Sequence, residues 1–440
     1  MNPSDNCEEV TKHDTWEDFD KYFKARYVDN GVFVGGCTVV VCNAEGVVHR
    51  VVYGEHKQDT VYAVNSISKI VLSVACLQLR DQGKLDLDDP VSRYLPLWDD
   101  TSRPAEPGVN LTPITIRQTL NHTSGLGFYV FDACRSPLEK SAGTQKWKLM
   151  FDTKTTLAKY VEWIGKSAPA LFQPGQHFNY ADGVNAVARI IEIVSGLELA
   201  DYYEQNIFGP LGMNETTFFT TVQQKARYPT QKCPSDATDV IPWWARWAMP
   251  SLVYLFPYDF NQSSSQGGRG DGGLKGPIDD WVKFNCCLLN AGEWNGVRIL
   301  SAASVAEMCS SSVGGKELVP PFAYQRGAKV PLEAPPAFGL HPSLLDEVVT
   351  KQQARAGNHW PGQTIGLCVN IVQDPEKAAL LDQARGLSWW CGAMATYFGF
   401  HTGAKLGIMV YGAHGNPWGK TRMAAFRDAV NASFYHQTCK

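Results

Sequence analysis

The chain has 440 residues, 44% hydrophobic and 19% charged, which is long enough for two subdomains or one large composite domain with a full core. Its formal net charge of -4 gives no basic footprint for nucleic acid and no attraction to an anionic membrane. Small molecules or proteins are the expected partners.

The first twenty residues, MNPSDNCEEVTKHDTWEDFD, contain neither a basic n-region nor an apolar h-region, so no secretory signal is expected. No apolar run reaches the ~18 residues of a membrane span. Twelve cysteines are scattered without regular spacing, many inside apolar runs (Cys37, Cys42, Cys76, Cys286, Cys287, Cys368), as free thiols acting as small buried hydrophobes would be. A reducing, cytoplasmic setting is the expectation.

In chain order, "GVFVGGCTVVVCNAEGVVHRVVYG" holds two β-branched runs separated by "NAEG", a hairpin signature. Next comes "NSISKIVLSVACLQLR", apolar on nearly every side and so expected to be buried, with Gly83 to stop it and Pro90 to forbid its continuation. From about 112 to 308 the pattern is mostly helical, through "ITIRQTLNH", "TTLAKYVEWIG", "GVNAVARIIEIVSG" and "DDWVKFNCCLLNAG". The last hundred residues return to strands in "GQTIGLCVNIVQD", "WWCGAMATYFGF" and "KLGIMVYG", followed by an amphipathic helix around "TRMAAFRDAVNASFY". One sheet built from both ends of the chain is therefore expected, with segments 15–65 and 310–440 forming a sheet subdomain around a mostly helical region, 66–309, in a single domain.

The chain lacks G-x-S-x-G, H-E-x-x-H, C-x-x-C and G-x-x-x-x-G-K-[ST]. "GRGDGG" at 268–273 matches G-x-G-x-x-G, but a Ser-rich stretch precedes it where a dinucleotide fingerprint needs a strand. It reads as a flexible loop, with Arg269 and Asp271 a solvated pair. What remains is S-x-x-K: Ser66 is the only serine with a lysine three residues on. On a helix these two share a face, and burial lowers an amine's pKa, making Lys69 a candidate base for Ser66. The helix N-terminus beside Ser66 favours developing negative charge. A capping serine with a snorkelling lysine fits the same pattern. Tyr180, on a loop before a buried helix, supplies a hydroxyl that could relay protons; alone it would read as a core tyrosine.

With "SISK" and "YAD", the blocks "LTPITIRQTLNHTSGL", "IFGPLGMNETTF" and "GGLKGPIDDWVKF" resemble, in order and spacing, the serine β-lactamase and penicillin-binding-protein superfamily. The resemblance is to its class C-like branch, with the related esterases and fungal polyketide acyltransferases (lovastatin-type transesterases). It implies an α/β (α+β) fold, an antiparallel sheet flanked by helices plus a mostly helical subdomain, with Ser66, Lys69 and Tyr180 catalytic between them and no cofactor or metal. Two departures matter. The family's Y-x-N is Tyr180-Ala181-Asp182 here, which loses the amide that binds a substrate amide and leaves Asp182 as a candidate hydrogen-bond acceptor. "HTG" at 401–403 reads as a turn between strands, whereas Trp390-Cys391-Gly392, at the start of the preceding strand, resembles the W-x-G of the family's esterases and transesterases. By resemblance the backbone N–H groups of Ser66 and Ala393 form the oxyanion hole.

Trp390 in place of a Lys or His removes the cation for a substrate carboxylate and supplies an apolar wall with one N–H. Neutral esters or thioesters are then preferred over penicillins and peptidyl-D-alanines. His122 in "NHTSGL" reads as structural. The aromatic segment 241–260, with Trp243, Trp244 and Trp247, is a candidate substrate-pocket wall, a docking surface or ordinary core. The resulting expectation is a serine acyltransferase, with hydrolysis of neutral esters as the alternative, a β-lactamase or D,D-peptidase next, and a non-acyl binding protein last. Its partners would be a small-molecule acyl donor and acceptor, with an acyl carrier protein a candidate.

Overall fold

The computed structural model describes residues 13–99, 104–105, 111–127, 141–142, 144–146, 148–149, 155–229, 268–315, 362–413 and 420–438. The segment 241–260, with Trp243, Trp244 and Trp247, lies outside them.

The predicted hairpin forms β1 (Gly36–Asn43) and β2 (Gly46–Gly54), paired antiparallel. Its turn is built by Asn43, whose side-chain oxygen accepts from the backbone N–H of Glu45 at 2.8 Å and of Gly46 at 3.0 Å, an Asx arrangement that suits asparagine. Two short ladders follow that hydrophobic patterning did not reveal: β3 (Val61–Ala63) with β4 (Lys275–Pro277), and β5 (Glu293–Trp294) with β6 (Val297–Arg298). The C-terminal strands are β7 (Gln363–Ile365), β8 (Asn370–Val372), β9 (Ser388–Gly392), β10 (Thr396–His401) and β11 (Leu406–Tyr411). They join the hairpin in one antiparallel seven-stranded sheet, ordered β2-β1-β11-β10-β9-β8-β7.

"WWCGAMATYFGF" is two strands, not one. The chain reverses at 393–395, with Ala395 in the left-handed region at φ 54°. Trp390 accordingly sits within β9, which begins at Ser388, instead of starting a strand. The "HTG" segment does fall at the β10–β11 turn, with His401 ending β10.

The principal helices are α1 (Trp16–Phe23), α2 (Ser68–Asp81), α3 (Ile116–Leu120), α4 (Leu157–Ser167), α5 (Val184–Ser195), α6 (Ile278–Leu289) and α7 (Lys420–Thr438). Their ends follow local chemistry. Thr115 and Gln118 cap α3 reciprocally, Thr156 caps α4, and Gly83 and Gly196 take positive φ beyond α2 and α5. Trp281 and Phe284 of α6 pack on Phe398, whereas Phe426 of α7 stacks on Tyr397. Adjacent strand residues face opposite ways, so α6 and α7 cover opposite faces of the sheet. Coverage on both sides explains why β1 is buried from Gly36 to Cys42. Helix α7 is buried along much of its circumference, with Arg422 fully enclosed and its Nε donating to the Val32 carbonyl at 3.2 Å; the amphipathic stripe read from the sequence understates this.

The two ends of the chain are tied together. Tyr22 and Tyr27 both donate to the Asp428 carboxylate, at 2.7 and 2.5 Å, and Trp16 stacks on His436. Among the described residues no helix is long and apolar enough to cross a membrane, and eight cysteines are free thiols, all buried but Cys309.

Candidate active site

Helix α2 is buried at every position from Ser68 to Leu79, and it packs against α5 on the side of the helical region. Ser66 lies just before it in a single 3₁₀ turn, Asn65–Ile67, entered through Asn65 at φ 49°. This turn leaves Ser66 half-buried while Lys69, one turn on, is 1% exposed.

The structure brings Ser66, Lys69 and Tyr180 into mutual hydrogen-bonding distance. Ser66 Oγ is 2.7 Å from the Tyr180 hydroxyl, and Lys69 Nζ is 3.1 Å from Ser66 Oγ and 2.5 Å from the Tyr180 oxygen. Lys69 also donates to the backbone carbonyl of Asp271. A free-base amine has two N–H donors and one lone pair. Lys69 Nζ donates to Ser66 Oγ, the Tyr180 oxygen and the carbonyl as an ammonium; as a free base its lone pair can instead accept the Tyr180 O–H. Burial lowers the Lys69 pKa from 10.5 to about 8, and the Asp271 carboxylate opposes the shift. The same burial pushes the Tyr180 phenol well above its ordinary value. Tyr180 is thus a neutral hydroxyl and Lys69 the group that can exchange a proton near neutral pH.

Tyr180 is held by the turn after α3. His122, at φ 58°, accepts the Asn179 N–H on its carbonyl at 2.8 Å and the Ala181 N–H on Nδ1 at 3.3 Å. Its ring lies 4.8 Å from that of Tyr180 and stacks on Trp390 at 5.7 Å. Burial and the nearby Lys69 push the His122 pKa well down, keeping the imidazole neutral. His122 therefore connects Tyr180 to β9, a tertiary contact that the helix-end reading of "NHTSGL" did not reveal.

Trp390 is buried beside Tyr180, ring centroids 6.0 Å apart, and its indole N–H is bonded to no described residue. Gly392, at the end of β9, lies directly against the Val64 carbonyl, where a Cβ would collide. Thr396 donates to the same carbonyl at 3.3 Å. These contacts set the end of β9 beside the Ser66 turn, with Ala393 exposed in the turn that follows.

Two expectations need correction. Arg269 and Asp271 are not a solvated pair: their side chains are 15% and 14% exposed, they form a two-point ion pair at 3.0 and 2.8 Å, and Arg269 sits over the Tyr160 ring at 4.5 Å. The Gly-rich loop is drawn inward because Gly270 rests on α5. Its N–H reaches Asn185 Oδ1 at 3.1 Å, and an added Cβ would come within 2.8 Å of the Ala188 Cβ. Asp182, expected among the substrate-binding residues, is 1% exposed and faces Lys146, which donates to Oδ2, while the Tyr160 hydroxyl donates to the same oxygen at 3.2 Å. Sequence reasoning missed Lys146 altogether, since nothing local distinguishes it from a surface lysine. Among the described residues no cluster suited to a metal ion occurs.

An antiparallel sheet and a helical region with a Ser-x-x-Lys turn packed between them define the serine β-lactamase-like class of folds. The sequence profile described as beta-lactamase matches residues 25–430, and the chain belongs to that family. The chain is 27% identical to Acyltransferase calJ of Penicillium decumbens, over 77% of this chain and 72% of that protein. It is 28% identical to Esterase EstB of Burkholderia gladioli over 42% of this chain and 45% of that one. The solved structure of "EstCE1, a hydrolase with promiscuous acyltransferase activity" shares the fold with a TM-score of 0.67, covering 94% of this chain and 98% of that chain at 20% identity.

Proposed function

We propose that this protein is a serine acyltransferase that moves an acyl group from a neutral small-molecule ester or thioester to an alcohol acceptor, through an acyl-enzyme on Ser66. The observation carrying this reading is the three-way contact of Ser66, Lys69 and Tyr180 around an amine whose pKa burial has lowered to about 8. Ser66 Oγ attacks the carbonyl carbon as its proton passes to Tyr180 and the Tyr180 proton passes to Lys69. The tetrahedral oxyanion is received by the backbone N–H groups of Ser66 and Ala393. Its collapse expels the donor's alkoxide or thiolate, which takes a proton back through Tyr180. An acceptor hydroxyl then enters, gives its proton along the same path and carries off the acyl group.

Trp390 supplies an apolar wall and one N–H where a substrate carboxylate would need a cation, which favours neutral substrates over penicillins and D,D-peptides. Similarity to an acyltransferase across most of the chain favours transfer over hydrolysis, and polyketide-like substrates of secondary metabolism are the class we propose. Similarity to an esterase over less than half of it makes hydrolysis of neutral esters the second reading. An acyl carrier protein is the candidate thioester donor, and the cytoplasm the candidate setting.

The test is covalent. Wild-type protein treated with p-nitrophenyl acetate should carry an acetyl group on Ser66 by intact mass and peptide mapping, and Ser66→Ala should carry none. No adduct in the wild type, or full turnover by Ser66→Ala, refutes the acyl-enzyme. Product analysis with and without added alcohols then separates transfer from hydrolysis.

A further inference from the structure

Behind Ser66, among the described residues, lie three basic side chains, the buried Lys69 and Lys146 and the largely buried Arg269, and two carboxylates, the buried Asp182 and the largely buried Asp271. Arg269 engages Asp271 through two nitrogens. Lys146, in a helical turn at 144–146, engages Asp182, both side chains 1% exposed. Lys69 contacts two hydroxyls and a backbone carbonyl, with no carboxylate oxygen in bonding range. Counted over these five groups, the buried charge is zero when Lys69 is a free amine and +1 when it is an ammonium.

We propose that Lys146 is a positioning residue for the acyl-transfer base: by holding Asp182 in an ion pair, it leaves Lys69 without a carboxylate partner. The Asp182 charge is felt at Lys69, where it favours the ammonium, so an uncompensated Asp182 would draw a proton onto the amine. Among the other described groups around Lys69, Asp271 and Arg269 carry charge and the rest are neutral. Burial pushes the thiols of Cys368, on the β7–β8 turn, and Cys391, on β9, upward and so keeps them neutral. The phenols of Tyr180 and Tyr160 are likewise raised, and His122 is held neutral. Asp271 favours the ammonium at Lys69 more strongly than Arg269 opposes it. The Lys146–Asp182 pair therefore decides how far a second carboxylate adds to the Asp271 charge at Lys69. An aspartate at the third position of Tyr180-Ala181-Asp182 is compatible with a free-base Lys69 because this lysine accompanies it.

The inference rests on the reading of Lys69 as the base for Ser66, and the experiment separates the two. The second-order rate of Ser66 acetylation by p-nitrophenyl acetate is measured from about pH 6 to 10 for wild type, Lys146→Met, Lys146→Arg, Asp182→Asn and the Lys146→Met/Asp182→Asn double variant. Lys146→Met is expected to move the acid limb to higher pH by about one unit or more. Asp182→Asn should not move it upward, and Lys146→Arg and the double variant should restore the wild-type limb. A folded Lys146→Met whose limb is unmoved, or limbs that move upward together in both single variants, overturns the proposal. If Lys146→Met does not fold by near-ultraviolet circular dichroism, Asp182→Asn carries the test: with Lys146 left without this carboxylate its limb should move to lower pH, and an unmoved or raised limb overturns the proposal. Absence of any Ser66 adduct in wild type refutes the acyl-transfer reading itself, an outcome distinct from adducts that form with unmoved limbs.

Discussion

Replacing Lys69 by methionine should remove acyl transfer and, less obviously, change how stability depends on pH. Methionine keeps most of the apolar stem and its volume in α2 but cannot be protonated. In the folded wild type the Lys69 amine releases its proton near pH 8, compared with 10.5 for an ordinary lysine. Between those values the unfolded chain holds one more proton than the folded one, so wild-type stability rises with pH through this window relative to Lys69→Met. The contribution is fully present above pH 10.5 and lost as the pH falls through 8. A gap from 10.5 to about 8, at about 1.4 kcal/mol per pH unit, corresponds to about 3 kcal/mol. Guanidinium unfolding of both proteins at several pH values across the window measures the difference, in which titrations common to the two cancel. A wild-type-minus-variant stability that stays flat from pH 8 to 10.5 would show that Lys69 titrates normally in the fold, and the free-base mechanism would fall with it.

Tyr180→Phe keeps the ring against His122 and Trp390 but deletes the hydroxyl shared by Ser66 and Lys69, so acylation should drop by about 10² to 10⁴; near-wild-type acylation would exclude Tyr180 from the proton path. Acylation by a neutral ester should rise with pH through about 8 and then level, whereas a limb near the ordinary histidine range would point to another base. Trp390→Lys adds a cation beside the site and should raise kcat/KM for carboxylate-bearing esters relative to neutral ones, measured as a ratio within each protein so that any general loss cancels. Gly270→Ala places a methyl group 2.8 Å from the Ala188 Cβ and 3.0 Å from the Val184 carbonyl. It should cost about 1–3 kcal/mol in chemical denaturation and slow acylation by displacing the Asp271 carbonyl from Lys69.

Much of this arrangement is written locally. Ser66 and Lys69 are three residues apart on one helix entrance, a spacing that any helical geometry brings together, and the "NAEG" turn is encoded by the single side chain of Asn43. The reversal between β9 and β10 is harder to read, because an alanine, Ala395, occupies the left-handed position where glycine or asparagine would have signalled a turn. The inward Gly-rich loop and the Lys146–Asp182 pair are harder still. Each depends on contacts across 36 or more positions, Lys146 to Asp182 over 36 and Gly270 to Asn185 over 85. A charged residue at such a position looks solvated until its partner is known. His122 was legible as the end of a helix, but its ring contacts with Tyr180 and Trp390 depend on how three distant segments pack.

The sheet order β2-β1-β11-β10-β9-β8-β7 has a consequence for how the chain reaches its folded state. Strand β1 pairs on one side with its sequence neighbour, but on the other with a strand more than three hundred and sixty residues later, Thr38 opposite Tyr411. During synthesis, at roughly 5–20 residues per second, the buried apolar edge of β1 emerges long before β11 can cover it. Such non-local pairing slows folding and leaves strand edges open to other chains. The nucleophile segment is made early, yet the end of β9 that lies against it is made late. A ribosome-stalled fragment ending before β9 should therefore contain Ser66 and Lys69 without the neighbour that completes their site, and a nascent chain would be protected from premature chemistry by the order of its own strands.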